Sequence, residues 1–522
     1  MPHSDPGTTD EHESQTDSLA GLLKHTSIYA IAPIFQRALS VVLIAVYTTA
    51  LEPSEYGLLT LMDLFLALFP ILVGTSLIAG LSRHYFVQES SEERSAVISG
   101  TAIALVACSA AGALLAYYFR APLAAAVFRS TGRGVSSELV DYLTISIAYM
   151  PFALLCRTGF EALQIEKRSK LVVKITLAKT LLEASLKLIF LLIFEWGVMG
   201  FLFAVLIGEA VAGVGFGAFI LRRHGARITR KTMLPLARYA LPLVPVGIFQ
   251  LGLHQADTLM IEKMGPSSVI GIGEDGVELT LARQWLGIYG IGYKLPFLFH
   301  TAVMASFMRI WRPNLFALKE DATRGGHVQR VGSLVSIAII GLYAQVSLFG
   351  REAVRLLGRK EALHAADAVV PWIAIGYVVY AFYGLSQAAL MSAFATRSLA
   401  VINAFALAVN LALNYVWIAE YGYLGAAAAT TVSFAFLAAV SATVSTRRGI
   451  APFYASTILR GLCVLVAAVI LGRYIDLQTE AWSLTGFAAK GAVSLLLVAL
   501  LIAALPAADR ARVVGAVRDK LQ

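Results

Sequence analysis

The chain has 522 residues, 58% of them hydrophobic and only 14% charged, with a formal net charge of +9. A mean hydropathy of +0.73 excludes an ordinary soluble protein and places the chain among polytopic membrane proteins. An outer-membrane barrel is excluded as well, because its strands alternate over roughly ten residues, whereas the apolar blocks here run to about 20, enough for a helix to cross roughly 30 Å of hydrocarbon. The basic excess fits loops that face anionic lipid; no basic stripe with interleaved aromatics points to nucleic acid.

Taken in order, residues 1–21 are polar and acidic, lack the basic start and short apolar core of a cleavable signal, and read as a disordered cytoplasmic tail. Apolar blocks then predict spans near 22–49, 58–81, 95–119, 138–160, 171–194 and 198–221. After the basic connector 222–235, an amphipathic interfacial segment, spans are predicted near 236–260, 287–310, 328–349, 368–393, 399–419 and 423–444. Two more, near 456–474 and 484–505, precede a basic tail, 506–522. The expected fold is an all-α polytopic bundle of about fourteen helices, since helices satisfy their own backbone groups in lipid.

These blocks divide into an N-terminal lobe (22–221, TM1–6), a C-terminal lobe (236–445, TM7–12) and an additional pair of spans within 446–505 that has no counterpart. The lobes share a Tyr-Gly element, LEPSEYGLLT in one and LGIYGIGYK in the other, read as an exterior turn entering a span; such weak internal symmetry is a transporter feature. Loops after spans two, four, six, eight and twelve are rich in Lys and Arg, including Arg83, Lys167, Arg222, Arg312 and Arg447. The positive-inside rule therefore puts both termini in the cytoplasm. Arg120, Arg129 and Arg133, and Arg351, Arg355, Arg359 and Lys360, run against that bias.

Ionisable groups inside apolar spans point to function, because a charge at the bilayer centre costs at least about 2.5 kcal/mol and normally faces a partner or a polar cavity. Lys179, Glu183 and Lys187 lie at successive i,i+4 positions of span five, and one glutamate cannot neutralise two lysines. With Arg37 in span one they predict a cationic N-terminal half. Lys294 and His300 lie in span eight, and His254 and Asp257, one turn apart in span seven, are candidates for proton or cation coupling together with Glu183 and Asp63. Asp63 and Glu209 are each expected to pair with Arg37 or Lys187, and Lys294 has Asp257 as its alternative partner. Tyr289, Tyr293, Gln250 and Gln255 are further polar groups near the same pathway.

Other patterns have bland readings. Cys108, Cys156 and Cys463 are unrelated in spacing and form neither a disulfide framework nor a thiolate metal site. Gly271 to Gly276 reads GIGEDG but lies between two spans without the strand and helix of a dinucleotide site. Prolines at 33, 70, 151, 242, 245, 296 and 371 fall in or near spans, where they bend helices. Neither a catalytic residue nor a cofactor or metal site is indicated. A membrane glycosyltransferase or polymerase would need a large exterior catalytic loop or clustered acids at one face, and neither is visible.

The EPSEYG element, RHYF at the end of span two, PLVPVGIFQLGLHQADTLMI, GIYGIGYKLPFLF and RIWRPNLF together resemble the Wzx-type polysaccharide flippases of the multidrug, oligosaccharidyl-lipid and polysaccharide exporter superfamily. That resemblance implies two six-helix lobes around a central cavity with alternating access, and movement of undecaprenyl-diphosphate-linked oligosaccharides across the cytoplasmic (inner) membrane for capsule, exopolysaccharide or O-antigen synthesis. It implies cavity cations, for which Arg37, Lys179, Lys187 and Lys294 stand, proton or sodium coupling, and association with polymerase and export proteins. A lipid II flippase would share the cationic cavity. A multidrug or ion antiporter of the same superfamily would favour an acidic one.

Overall fold

The computed structural model describes residues 35–129, 135–241, 244–273, 277–317, 322–393, 395–507 and 509–511. The expected N-terminal tail, most of the C-terminal tail, Pro33, Pro242 and Arg133 lie outside the described residues. Within them the order is α1 (Phe35–Ala50), α2 (Pro53–Val73), α3 (Thr75–Val87), α4 (Ser91–Tyr118), α5 (Arg120–Val127), α6 (Ser137–Ile165), α7 (Ser169–Leu192), α8 (Gly197–His224) and α9 (Arg230–Ala240). Then come α10 (Val244–Met264), β1 (Val269–Ile272), β2 (Glu278–Thr280), α11 (Leu281–Ala317), α12 (Ala322–Leu348), α13 (Gly350–Leu357), a 3-10 helix (Glu361–Ala368), α14 (Val369–Ser392), α15 (Thr396–Arg447), α16 (Ala455–Gln478) and α17 (Leu484–Ala504).

The chain is a polytopic all-α membrane protein. Among the described residues nine helices are long and apolar enough to cross a membrane. Helices α7, α10 and α11 have spanning lengths of 24, 21 and 37 residues, but their apolar runs are broken by the very charges singled out above. The expected second span is interrupted at Gly74, between α2 and α3, and α15 holds the eleventh and twelfth expected spans end to end, broken at Gly422 with φ 60°. The connector is divided: α8 carries Arg222 and Arg223 to its last turn, and the amphipathic piece is α9, capped by Thr229 accepting from the Thr232 amide.

Two units emerge from the packing. The first comprises Met1–Leu43, Phe69–Phe119 and Thr144–Val244, and the second Ile44–Leu68, Arg120–Leu143 and Pro245–Gln522. In the first, α3, α4, α6 and α8 close around Leu81, Val97, Ile98, Ala162 and Ile220. Helix α9 lies against α3 and α4, where the Ser99 hydroxyl donates to the Arg227 carbonyl.

In the second unit α14 packs against α11, α12 and α15, and α12 carries α16 and α17. The two-stranded antiparallel hairpin between α10 and α11, register Val269 with Thr280 and Ile272 with Glu278, is unforeseen in the sequence. The second Tyr-Gly pair is no turn: Tyr289 and Gly290 sit inside the continuous α11. The role of its glycines is close packing. A Cβ on Gly57 of α2 would fall 1.8 Å from the Arg283 carbonyl oxygen, and one on Gly287 would fall 2.1 Å from that of Pro53. Only glycine lets α2 and α11 cross at that backbone separation.

Candidate functional site

Within the first unit the charges of α7 and α8 form one cluster. Lys179 Nζ lies 2.7 Å from Glu183 Oε1 and 3.0 Å from Glu209 Oε1, all three side chains less than a fifth exposed. Helix α8 makes room with Gly208, where a Cβ would stand 2.2 Å from Glu183 Cγ. Glu209, expected to pair with Arg37 or Lys187, meets Lys179 instead. Lys179 is therefore not an open cation; it is held by two carboxylates, and the trio carries a net negative charge. Lys187 stacks its ammonium 4.2 Å from the centre of the Phe201 ring. Arg37 lies on α1, which is tied to α7 where the Gln36 amide donates to Thr180 Oγ1 at 2.9 Å. The cationic stripe inferred from spacing is thus half neutralised by a residue from the neighbouring helix, which i,i+4 reasoning cannot supply.

In the second unit Lys294 reaches Asp63 Oδ2 at 3.1 Å and sits 5.1 Å from the centre of the buried Tyr56 ring. Both partners belong to α2, so the glycine crossing of α2 and α11 places this ion pair. Asp257, the alternative partner of Lys294, lies elsewhere. Only 1% exposed, it accepts from Tyr289, from Thr430 at 3.0 Å and from the Thr258 amide at 2.8 Å. His254 approaches the Tyr293 hydroxyl with Nδ1 at 3.1 Å, and Tyr377 donates to that same hydroxyl at 2.7 Å. No hydrogen bond joins His254 to Asp257 among the described residues. They are instead held by two tyrosines one turn apart on α11.

Beyond them a cavity of about 570 Å³ opens inside the second unit, with His254, His300, Tyr377 and Tyr380 at one end and Arg312 and Gln387 at the other. Arg312, counted from sequence as a loop cation, lies within α11 and lines this space.

Three further charged groups hold the frame. Glu262 and Arg283, 1% and 2% exposed, pair at 3.2 Å. Arg129 donates to the Lys263 carbonyl at 3.2 Å and to that of Gly265. Lys490 on α17, absent from the sequence candidates although it is a lone lysine in an apolar span, is fully buried between Glu352 at 2.6 Å and Asp476 at 2.8 Å. Arg351 donates to the Asp476 and Thr479 carbonyls at 2.7 and 2.8 Å, and Lys360 pairs with Glu52 at 2.5 Å. Several cations that ran against the positive-inside bias thus have structural partners.

The chain is thus a polytopic helical membrane protein with charges paired inside its spans. Residues 22–319, more than half the chain, match the family described as Polysaccharide biosynthesis protein, and residues 320–416 match MatE. The chain belongs to the polysaccharide biosynthesis protein family. No curated protein matches. Among solved structures it is similar to the lipid II flippase MurJ in an inward closed conformation, with TM-score 0.65 and 14% identity over 90% of this chain and 97% of that one. It is also similar to a Vibrio cholerae MATE transporter, with TM-score 0.55 and 14% identity over 83% and 98%. An inward-facing multidrug resistance MATE transporter aligns with TM-score 0.55 and 14% identity over 81% and 98%.

Proposed function

We propose that the protein is a flippase that carries undecaprenyl-diphosphate-linked oligosaccharides across the cytoplasmic membrane by alternating access, supplying the synthesis of capsule, exopolysaccharide or O-antigen. The observation that carries this reading is the polysaccharide biosynthesis family match over residues 22–319, in a chain whose apolar spans hold cations. A diphosphate crossing roughly 30 Å of hydrocarbon needs charged donors, while its polyprenyl tail stays in lipid. Arg37, Lys179, Lys187 and Lys294 are the candidate donors, Lys179 shared with Glu183 and Glu209 and Lys294 with Asp63.

In this reading the lobes are 22–221 and 236–445, joined by the connector 222–235, with the pair within 446–505 added and both termini cytoplasmic. Among the described residues Asp257 meets only neutral donors, so its carboxylate can take a proton or sodium ion and couple transport to a gradient; His254, Glu183 and Asp63 are the other coupling candidates. Polymerase and export proteins are the natural partners. Reconstitution of the protein alone, with labelled lipid-linked sugar scored for its leaflet, tests the proposal. Movement dependent on protein supports it, and labelled lipid that stays in its starting leaflet refutes it.

A further inference from the structure

The short helix α9 is kept close to the membrane surface by its connection to α8. Helix α8 is long and apolar enough to span and ends at His224, and α9 begins at Arg230. The residues between them, 225–229, extend over about 20 Å at most. Helix α9 therefore lies within that distance of the point where a span leaves the hydrocarbon.

One face of α9 rests on the protein. Thr232, Leu236 and Ala240, each four residues from the last, are buried where α9 lies against α3 and α4. Met233 seats beside Gly100 of α4, where a Cβ would stand 2.9 Å from its Cε. Lys231 Nζ meets Glu93 Oε1 at 3.0 Å. This seat fixes which side chains point away from the first unit. They are Arg230, Leu234, Arg238 and Leu241, all exposed, Leu241 to 73%, and their spacing of four, four and three places them together on the opposite side of the helix.

The charges on that outward face differ from those around it. Among the described residues neither Arg230 nor Arg238 pairs with a carboxylate, whereas Arg223 has Glu166 at 2.8 Å, Arg227 has Glu92 at 3.6 Å and Lys231 has Glu93. Open guanidinium groups set between exposed leucines suit neither plain water, which would hydrate the leucines, nor plain hydrocarbon, which would strip the charges. They suit the boundary of a bilayer whose headgroups carry net negative charge.

We propose that the outward face of α9 binds anionic phospholipid, with headgroup phosphates on Arg230 and Arg238 and with Leu234 and Leu241 among the first carbons of the acyl chains. A guanidinium fork takes two phosphate oxygens at once, and a headgroup without a cation of its own leaves those oxygens open to it. Because α9 is seated on α3 and α4, bound lipid ties that part of the first unit to the leaflet. The assignment is independent of what the protein carries.

The test uses the full-length protein with a benzophenone photoprobe in place of Leu234, in vesicles of phosphatidylcholine and phosphatidylglycerol with matched acyl chains. After irradiation, adducts on the α9 peptide are identified by mass spectrometry. The ratio of anionic to zwitterionic lipid in the adducts is expected to exceed the bulk ratio about fivefold or more. Arg230→Gln together with Arg238→Gln should return it to the bulk ratio at an unchanged thermal midpoint, since both side chains are exposed. The same probe in place of Leu495, 75% exposed in the middle of α17, should report the bulk ratio. Adducts to peptide instead of lipid would assign the face to a protein partner or a second copy and overturn the proposal. So would the absence of any adduct, a bulk ratio at Leu234, enrichment that survives the double variant, or equal enrichment at Leu495.

Discussion

Lys490→Met would leave Glu352 and Asp476, each about a tenth exposed, facing a space that the ammonium now fills at 2.6 to 2.8 Å. In the native cluster Lys490 and Arg351 balance Glu352 and Asp476, so the truncation leaves one uncompensated negative charge where α13, α16 and α17 meet. Removing one partner of a buried ion pair costs about 3 to 5 kcal/mol, equivalent to roughly a hundred-fold to a few-thousand-fold in the equilibrium for local opening. That opening should detach α16 and α17 from α12 and α13 rather than unfold the chain. Hydrogen exchange in detergent or nanodiscs reads it directly: amide protection in α16 and α17 should fall by that factor, with α4 and α8 unchanged. Adding Glu352→Gln to Lys490→Met leaves Arg351 opposite Asp476 in balance and should recover most of the protection. Unaltered protection in the single variant, or a double variant no better than the single, would refute the reasoning.

Further outcomes follow from the other paired charges. Lys179→Ala leaves Glu183 and Glu209 as adjacent like charges and should lower the thermal midpoint, with Glu209→Gln restoring much of it; a midpoint that does not move contradicts the shared-lysine arrangement. Gly287→Ala sets a methyl 2.1 Å from the Pro53 carbonyl oxygen, whereas Gly215 has nothing within 4 Å, so the first substitution should depress folded yield and the second should leave it intact. Lys294→Ala should nearly abolish flipping, and adding Asp63→Asn should not rescue it if Lys294 meets the diphosphate; wild-type rates in the double variant would reduce Lys294 to a structural partner of Asp63. Asp257→Asn should flatten the dependence of transport on the proton or sodium gradient, and a gradient dependence equal to the wild type at equal expression would remove Asp257 from coupling.

The spans were legible because hydropathy acts over about 20 residues and depends little on neighbours. What the sequence could not place is the partner of each charge. Glu209 reaches Lys179 from another helix, Asp63 reaches Lys294 across a crossing set by Gly57 and Gly287, and Asp257 ends among neutral hydroxyls. Pairings of that kind are fixed by helix rotation, which a periodicity argument leaves free.

Lys490 did leave a signal, a single lysine within GFAAKGAVSLLLV, of the sort that marks a buried partner or a pathway. Arg312 was misread because RIWRP looks like the close of a span, while α11 in fact runs on to Ala317. The cavity it lines is visible in retrospect as helical spacing from Phe297 through His300, Met304 and Met308. The hairpin of β1 and β2 is too short to leave a strand pattern between two spans.

The most direct measurement is leaflet-resolved flipping in proteoliposomes that contain this protein alone and a fluorescent undecaprenyl-diphosphate-linked sugar, with a membrane-impermeant reagent destroying whatever sugar reaches the outer leaflet. The account predicts protein-dependent, gradient-sensitive loss of the inner-leaflet signal that Lys294→Ala suppresses. Vesicles that lose signal no faster than protein-free ones, under either gradient and with the protein folded, would contradict it.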